Sequence, residues 1–185
     1  LFVQGCNNDD VSNTARVQLK LIDLPGDYLE VNVNIVDVQY NNSEEEGWRS
    51  FESFEGEQLV DLTELIGGVN LVLSDEIIPA GTLKQIRLVL GDGNTVKIEG
   101  EIEGEGEIVP LETPSAQQSG LKLHMNTELV AGFSYTFVLD WDVQKSIVKA
   151  GNSGIYNLKP VIRVIAEVNS GTIKGKVIDA QTRET

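Results

Sequence analysis

The feature that most constrains this chain is a hydrophobic period of two that persists along most of its length. Val17, Leu19 and Leu21 alternate with Gln18 and Lys20, the pattern of a strand with one dry face and one wet face. Val31, Val33 and Ile35 alternate with Asn32 and Asn34, after which the apolar phase moves to Val36, Val38 and Tyr40. A slip of one residue turns a strand over, so a β-bulge or a change of sheet is predicted near Ile35 and Val36. The clearest core strand is the row Phe133, Tyr135, Phe137, Leu139 and Trp141, set against Ser134, Thr136, Asp140 and Asp142.

Gly, Asn, Asp and Pro punctuation separates further strands over residues 48–54, 58–62, 82–90, 95–99, 120–125 and 156–168. In the third of these Ile86, Leu88 and Leu90 face inward and Arg87 faces the other way, after a tight turn at Pro79-Ala80-Gly81. Helix is confined to about one turn at residues 62–66 and a short segment at 143–148, where Asp142 is placed to cap free amides. Many short strands and little helix predict an all-β fold. The expected form is an immunoglobulin- or transthyretin-like β-sandwich with Greek-key-like connections and one or two very short helices. Residues 1–14 read as a tether, 15–168 as the sandwich, and 169–185 as a linker with the first strand of a following domain.

Composition excludes whole function classes. The 185 residues carry 14 Lys+Arg against 29 Asp+Glu, a formal net charge of −15. Such a field repels phosphates, so nucleic acid is not an expected partner. One Cys leaves no intrachain disulfide framework and no cysteine-based zinc site, and one His removes several catalytic constellations. The chain is expected to be non-enzymatic. No apolar run approaches the roughly 20 residues that a membrane-spanning helix needs. The stretch 100–120 interleaves Gly100, Gly104 and Gly106 with Glu101, Glu103, Glu105 and Glu107; like charges on one strand face repel, so it is expected to be an exposed, mobile hairpin or loop.

The start, Leu1-Phe2-Val3-Gln4-Gly5-Cys6, resembles the end of a bacterial lipoprotein signal peptide. Val3 supplies the apolar residue three before the cysteine and Gly5 the small one directly before it. The resemblance makes Cys6 an acylated membrane anchor, with multiple chains exceeding the two signals that stable attachment requires. Asn7-Asn8-Asp9-Asp10 looks like the acidic segment associated with surface export of lipoproteins in the Bacteroidota. The expected location is therefore the bacterial outer membrane, surface-exposed or periplasm-facing.

Several segments in consistent order resemble the domain-of-unknown-function family 4382. They are Leu21-Ile22-Asp23-Leu24-Pro25-Gly26-Asp27-Tyr28, Gly47-Trp48, Pro79-Ala80-Gly81-Thr82-Leu83-Lys84-Gln85-Ile86-Arg87-Leu88, Leu139-Asp140-Trp141-Asp142 and Tyr156-Asn157-Leu158-Lys159-Pro160. The resemblance spans about residues 15 to 168. It implies a secreted or lipid-anchored β-rich domain and no established activity. Gly171 to Asp179 looks like the first strand of a carboxypeptidase-regulatory-like domain.

Candidate site residues are few. Asp140 and Asp142, two apart on one strand face opposite Trp141, are candidate calcium ligands through their oxygens. In the favoured structural reading Asp142 caps the segment 143–148 and Asp140 pairs with Arg87, Arg163 or Lys159. Trp141 continues the apolar row and belongs to the core. Trp48, with Phe51 and Phe54 nearby, is the candidate ligand-binding aromatic, since indole faces stack on sugar rings; core packing is the favoured reading for it. His124 shares a face with Lys122 and Asn126 and reads as an exposed or hydrogen-bonded strand histidine. Gly91-Asp92-Gly93-Asn94 suits a hairpin turn, with a calcium or phosphate cradle as the alternative. The expected function is adhesion or ligand binding by a lipid-anchored envelope module. The alternatives are a glycan-binding accessory module of a polysaccharide-uptake system and a calcium-stabilised structural module, and the partners are the membrane through Cys6 and a surface glycan or protein.

Overall fold

The inward rows of the sequence become two facing sheets in the computed structural model, which describes residues 13–42, 47–100, 106–113, 120–151 and 153–169. The first sheet takes β1 (Thr14–Asp23), β5 (Leu71–Pro79), β10 (Ser134–Trp141) and β13 (Ile162–Asn169), in the order β13-β10-β1-β5. β1 runs parallel to β10, and the other two pairings are antiparallel. The second sheet is built around β2 (Glu30–Asn41), with β6 (Gly81–Leu90), β7 (Thr95–Glu99), β8 (Gly106–Glu112), β9 (Leu121–Leu129), β11 (Ile147–Lys149) and β12 (Tyr156–Leu158) in the order β11-β12-β8-β7-β2-β6-β9. Two short strands, β3 (Arg49–Ser50) and β4 (Gln58–Asp61), also pair with β2. The result is the expected all-β sandwich.

The core lies between the sheets. Val17, Leu19, Leu21, Phe137, Leu139 and Trp141 from the first sheet meet Val31, Val33, Ile35, Ile86 and Leu88 from the second, all fully buried. The apolar surface removed from water here is the main stabilising term. The phase change at Ile35 is a register shift of β2 against β6 between Ile35 and Asp37, which lets Ile35 and Val38 both face inward. Phe133 falls outside the inward row and is exposed, because β10 begins only at Ser134.

β6 and β7 do not form a hairpin. Both pair antiparallel with the same edge of β2, β6 along Ile35–Asn41 and β7 along Glu30–Asn32. Gly91 to Asn94 therefore interrupts a nearly continuous run, and hydrogen bonds from asparagine side chains close the gap. Asn94 Oδ1 accepts from the Asn34 amide at 2.7 Å, and Asn94 Nδ2 donates to the Gly91 carbonyl at 2.8 Å. Asn34 Nδ2 donates to the Asp92 carbonyl and to Glu57. A Cβ at Gly91 would lie 2.6 Å from Val36 Cγ1 and 2.8 Å from Asn34 Nδ2, so those side chains would have to shift to admit one.

Other expectations are corrected. The segment 48–54 pairs only at Arg49–Ser50, because Phe51 turns into the core, where its ring centroid lies 4.7 Å from that of Tyr40. β5 was not expected as a strand. Within the stretch expected to be a loop, Gly106–Glu112 is β8, paired to β7 and β12. The expected strand 156–168 is two strands parted at Lys159 and Pro160, since proline has no amide for a ladder. The segment 143–148 is a single helical turn, α1 (Val143–Ser146), followed directly by β11.

Candidate functional site

On the face of the larger sheet turned away from the core, two polar rungs cross the strands side by side. In the first, Ser50, Gln39, Arg87 and Lys122 are register partners in succession on β3, β2, β6 and β9. In the second, Asn41, Gln85 and His124 follow across β2, β6 and β9. Alternation places them there: Ile86 and Leu88 point into the core, so Gln85 and Arg87 point out.

Trp48 closes one end of this array. Asn41 Nδ2 donates to the Gly47 carbonyl at 2.7 Å, fixing the backbone just before the indole. The Arg87 guanidinium lies 4.3 Å from the centroid of the Trp48 ring, a cation–π contact, and its Nε donates to Gln39 Oε1 at 2.8 Å. Gln39 in turn donates to Asp37 at 2.6 Å, and Ser50 Oγ donates to the same carboxylate. Behind the guanidinium stem sits Gly120, at φ +67°, where a Cβ would come within 2.7 Å of Arg87 Cγ and Cδ. Trp48 is thus partly buried on the outer face and not in the core.

A β-bulge shapes the opposite wall. β6 shifts register against β9 between Leu83 and Gln85, so that Met125 and Asn126 together oppose Lys84. Asn126 has φ 47° and is the only non-glycine residue with positive φ among the described residues; asparagine tolerates that conformation better than most side chains. Through the bulge Lys84 lines the same groove as Gln85 and Asn126. The groove has a volume of about 500 Å³ and is open to solvent. His124 stands on its floor with Nδ1 3.1 Å from Gln85 Nε2, as expected of an exposed, hydrogen-bonded strand histidine.

The aspartates go elsewhere, to the end of the sandwich. β10 stops at Trp141, and the two carboxylates part. Asp140 is 3% exposed and is paired with the Arg163 guanidinium on β13. Asp142 is the N-cap of α1, accepting from the Lys145 amide at 3.0 Å and from its ammonium at 2.6 Å. Those bonds to Lys145 hold the Asp142 carboxyl below its ordinary range. Both partnerships are those of the structural reading, with Arg163 the chosen cation. Among the described residues no group of three or more His, Cys, Asp or Glu side chains could hold a metal ion.

Sequence reasoning missed two residues here. Asp23 continues the inward parity of Val17, Leu19 and Leu21, and that parity was the signal available for it. Its Oδ1 accepts from the Val143 amide at 3.1 Å while Oδ2 is buried without a partner. Burial pushes its carboxyl up to about 6; the Val143 and Leu24 amides oppose the shift, and the charges of Asp142 and Asp140 add to it. Ser146, fully buried, accepts from the Trp141 indole at 3.0 Å and from the Val161 amide, and donates to the Asp142 carbonyl. Cys6 and Glu44 to Glu46 lie outside the described residues, as does everything from 170 onward.

The chain as a whole matches no curated protein and no solved structure. A family profile does match, over residues 14–160, and the chain therefore belongs to the family described as Domain of unknown function (DUF4382).

Proposed function

We propose that this chain is a non-enzymatic, lipid-anchored module of the cell envelope, tethered through Cys6, and that it binds glycans in the groove beside Trp48. The observation that carries this reading is the partly buried indole backed by Arg87 at the end of a groove lined by Asn41, Gln85, His124 and Asn126. A sugar ring offers an apolar C–H face and a rim of hydroxyls. An indole face suits the first, and side-chain amides, which both donate and accept, suit the second.

The test is titration calorimetry of the chain against a panel of bacterial and plant polysaccharides. Saturable binding is expected, weakened about tenfold or more in Trp48→Ala, the size typical for a buried aromatic anchor. The melting temperature should move little, because Trp48 is outside the core. A variant that only melts earlier, with binding unchanged, would overturn the reading.

A further inference from the structure

Resting on the glycan reading, we propose that the groove selects acidic glycans, chains whose sugar rings carry carboxylate or sulfate groups. The molecule carries −15 overall, yet among the described residues the charged side chains lining this groove are Lys84 and Lys122, with no described Asp or Glu lining it. Arg87 stands beside them over Trp48. Among the described cations Arg16 is tied to Asp75, Lys145 to Asp142 and Arg163 to Asp140. Neither Lys84 nor Lys122 has an ion pair with a described residue.

The placement of Lys84 in the groove is tied to backbone geometry. Strict alternation would send Lys84 and Gln85 to opposite faces of β6. The bulge against Met125 and Asn126 lets both line the groove, and it does so with Asn126 in the left-handed region. Bulges re-aim side chains in this way beside binding sites. A neutral sugar gains little from two ammonium groups, whose hydration it would disturb. A carboxylate or sulfate gains a charge-assisted hydrogen bond from each. An anionic chain approaching an acidic protein also needs cations within about 8 Å, the screening length at physiological salt, for attraction to exceed the general repulsion.

The experiment compares three probes by calorimetry on the 185-residue chain: a polyuronate, the same polymer with its carboxyls reduced to alcohols, and a sulfated galactan. The polyuronate or the sulfated chain is expected to bind about tenfold or more tightly than the reduced polymer, the size of one charge-assisted hydrogen bond, and to weaken as salt rises. The double variant Lys84→Gln, Lys122→Gln should bind all three equally, with an unchanged melting temperature. The two acidic arms distinguish carboxylate from sulfate. If the reduced polymer binds as tightly as its parent and Trp48→Ala abolishes both, acidic selection is overturned while the glycan reading stands. If none of the three binds while a neutral polysaccharide of the wider panel does, acidic selection fails and the glycan reading stands; if nothing in the panel binds, both fail. Equal binding of polyglutamate would show attraction for any polyanion and would likewise overturn selection for a glycan.

Discussion

Asp23 shows how one side chain can be legible in position and illegible in partnership. Its parity on β1 puts it inward, but only the parallel pairing of β1 with β10 brings it beneath the first amide of α1. It follows that Asp23 opposes stability at neutral pH. Its carboxyl titrates near 6 in the folded chain against an ordinary value of 3.8, so the folded state holds this proton more tightly between those values. As pH rises through that window the unfolded state has already released its proton, and stability falls; above about 6 the loss is complete. Asp75, held low by its bond from Arg16, and Asp142, held low by Lys145, act in the opposite sense. Their contribution is present above the ordinary carboxylate value and is lost as pH falls through their depressed ones. Asp23→Asn should keep the bond from Val143, remove the decline between pH 4 and 6, and raise the melting temperature at pH 7 by about 2–4 °C. Thermal melts across pH would show this; an unchanged slope would place the titration elsewhere.

Among elements, the run of β6 and β7 along β2 departs most from what the sequence suggests. Gly91-Asp92-Gly93-Asn94 has the composition of a hairpin turn, and local composition cannot reveal that β2 is long enough to receive both strands on one edge. Asn94, 3% exposed, substitutes its amide for the missing ladder bonds. Asn94→Ala would leave the Asn34 amide and the Gly91 carbonyl without these partners inside the sandwich, at a cost of about 2–3 kcal/mol. Denaturant unfolding should show that loss with the slope unchanged. Asn94→Asp, which keeps the acceptor but sets a buried carboxylate oxygen against the Gly91 carbonyl, should cost at least as much. The bulge at Ile35, the inward set Ile86, Leu88 and Leu90, and the cap at Asp142 were all readable, because each depends on neighbours within a few residues. The single turn of α1, cut off at Ser146, was not, because β11 is defined by pairing with β12.

At the scale of the whole molecule, the sandwich presents an acidic body, a groove lined in part by Lys84 and Lys122 and a proposed tether. The anchor is tested by growing the native host with labelled fatty acid. The label should follow the protein and disappear in Cys6→Ala, and equal labelling of the variant would refute it. Period-two alternation alone determined the all-β class and the inward rows, since the pleat fixes which side chains share a face whatever the strand pairs with. The groove belonged to the tertiary structure. Trp48, Arg87 and His124 were each visible as residues, but Trp48 was expected in the core and His124 stood alone. What brings them together is the order β2-β6-β9 and the register of its rungs. Pairing between distant strands depends on the packing of the whole core, because backbone hydrogen-bonding groups are the same at every residue and do not themselves specify a partner.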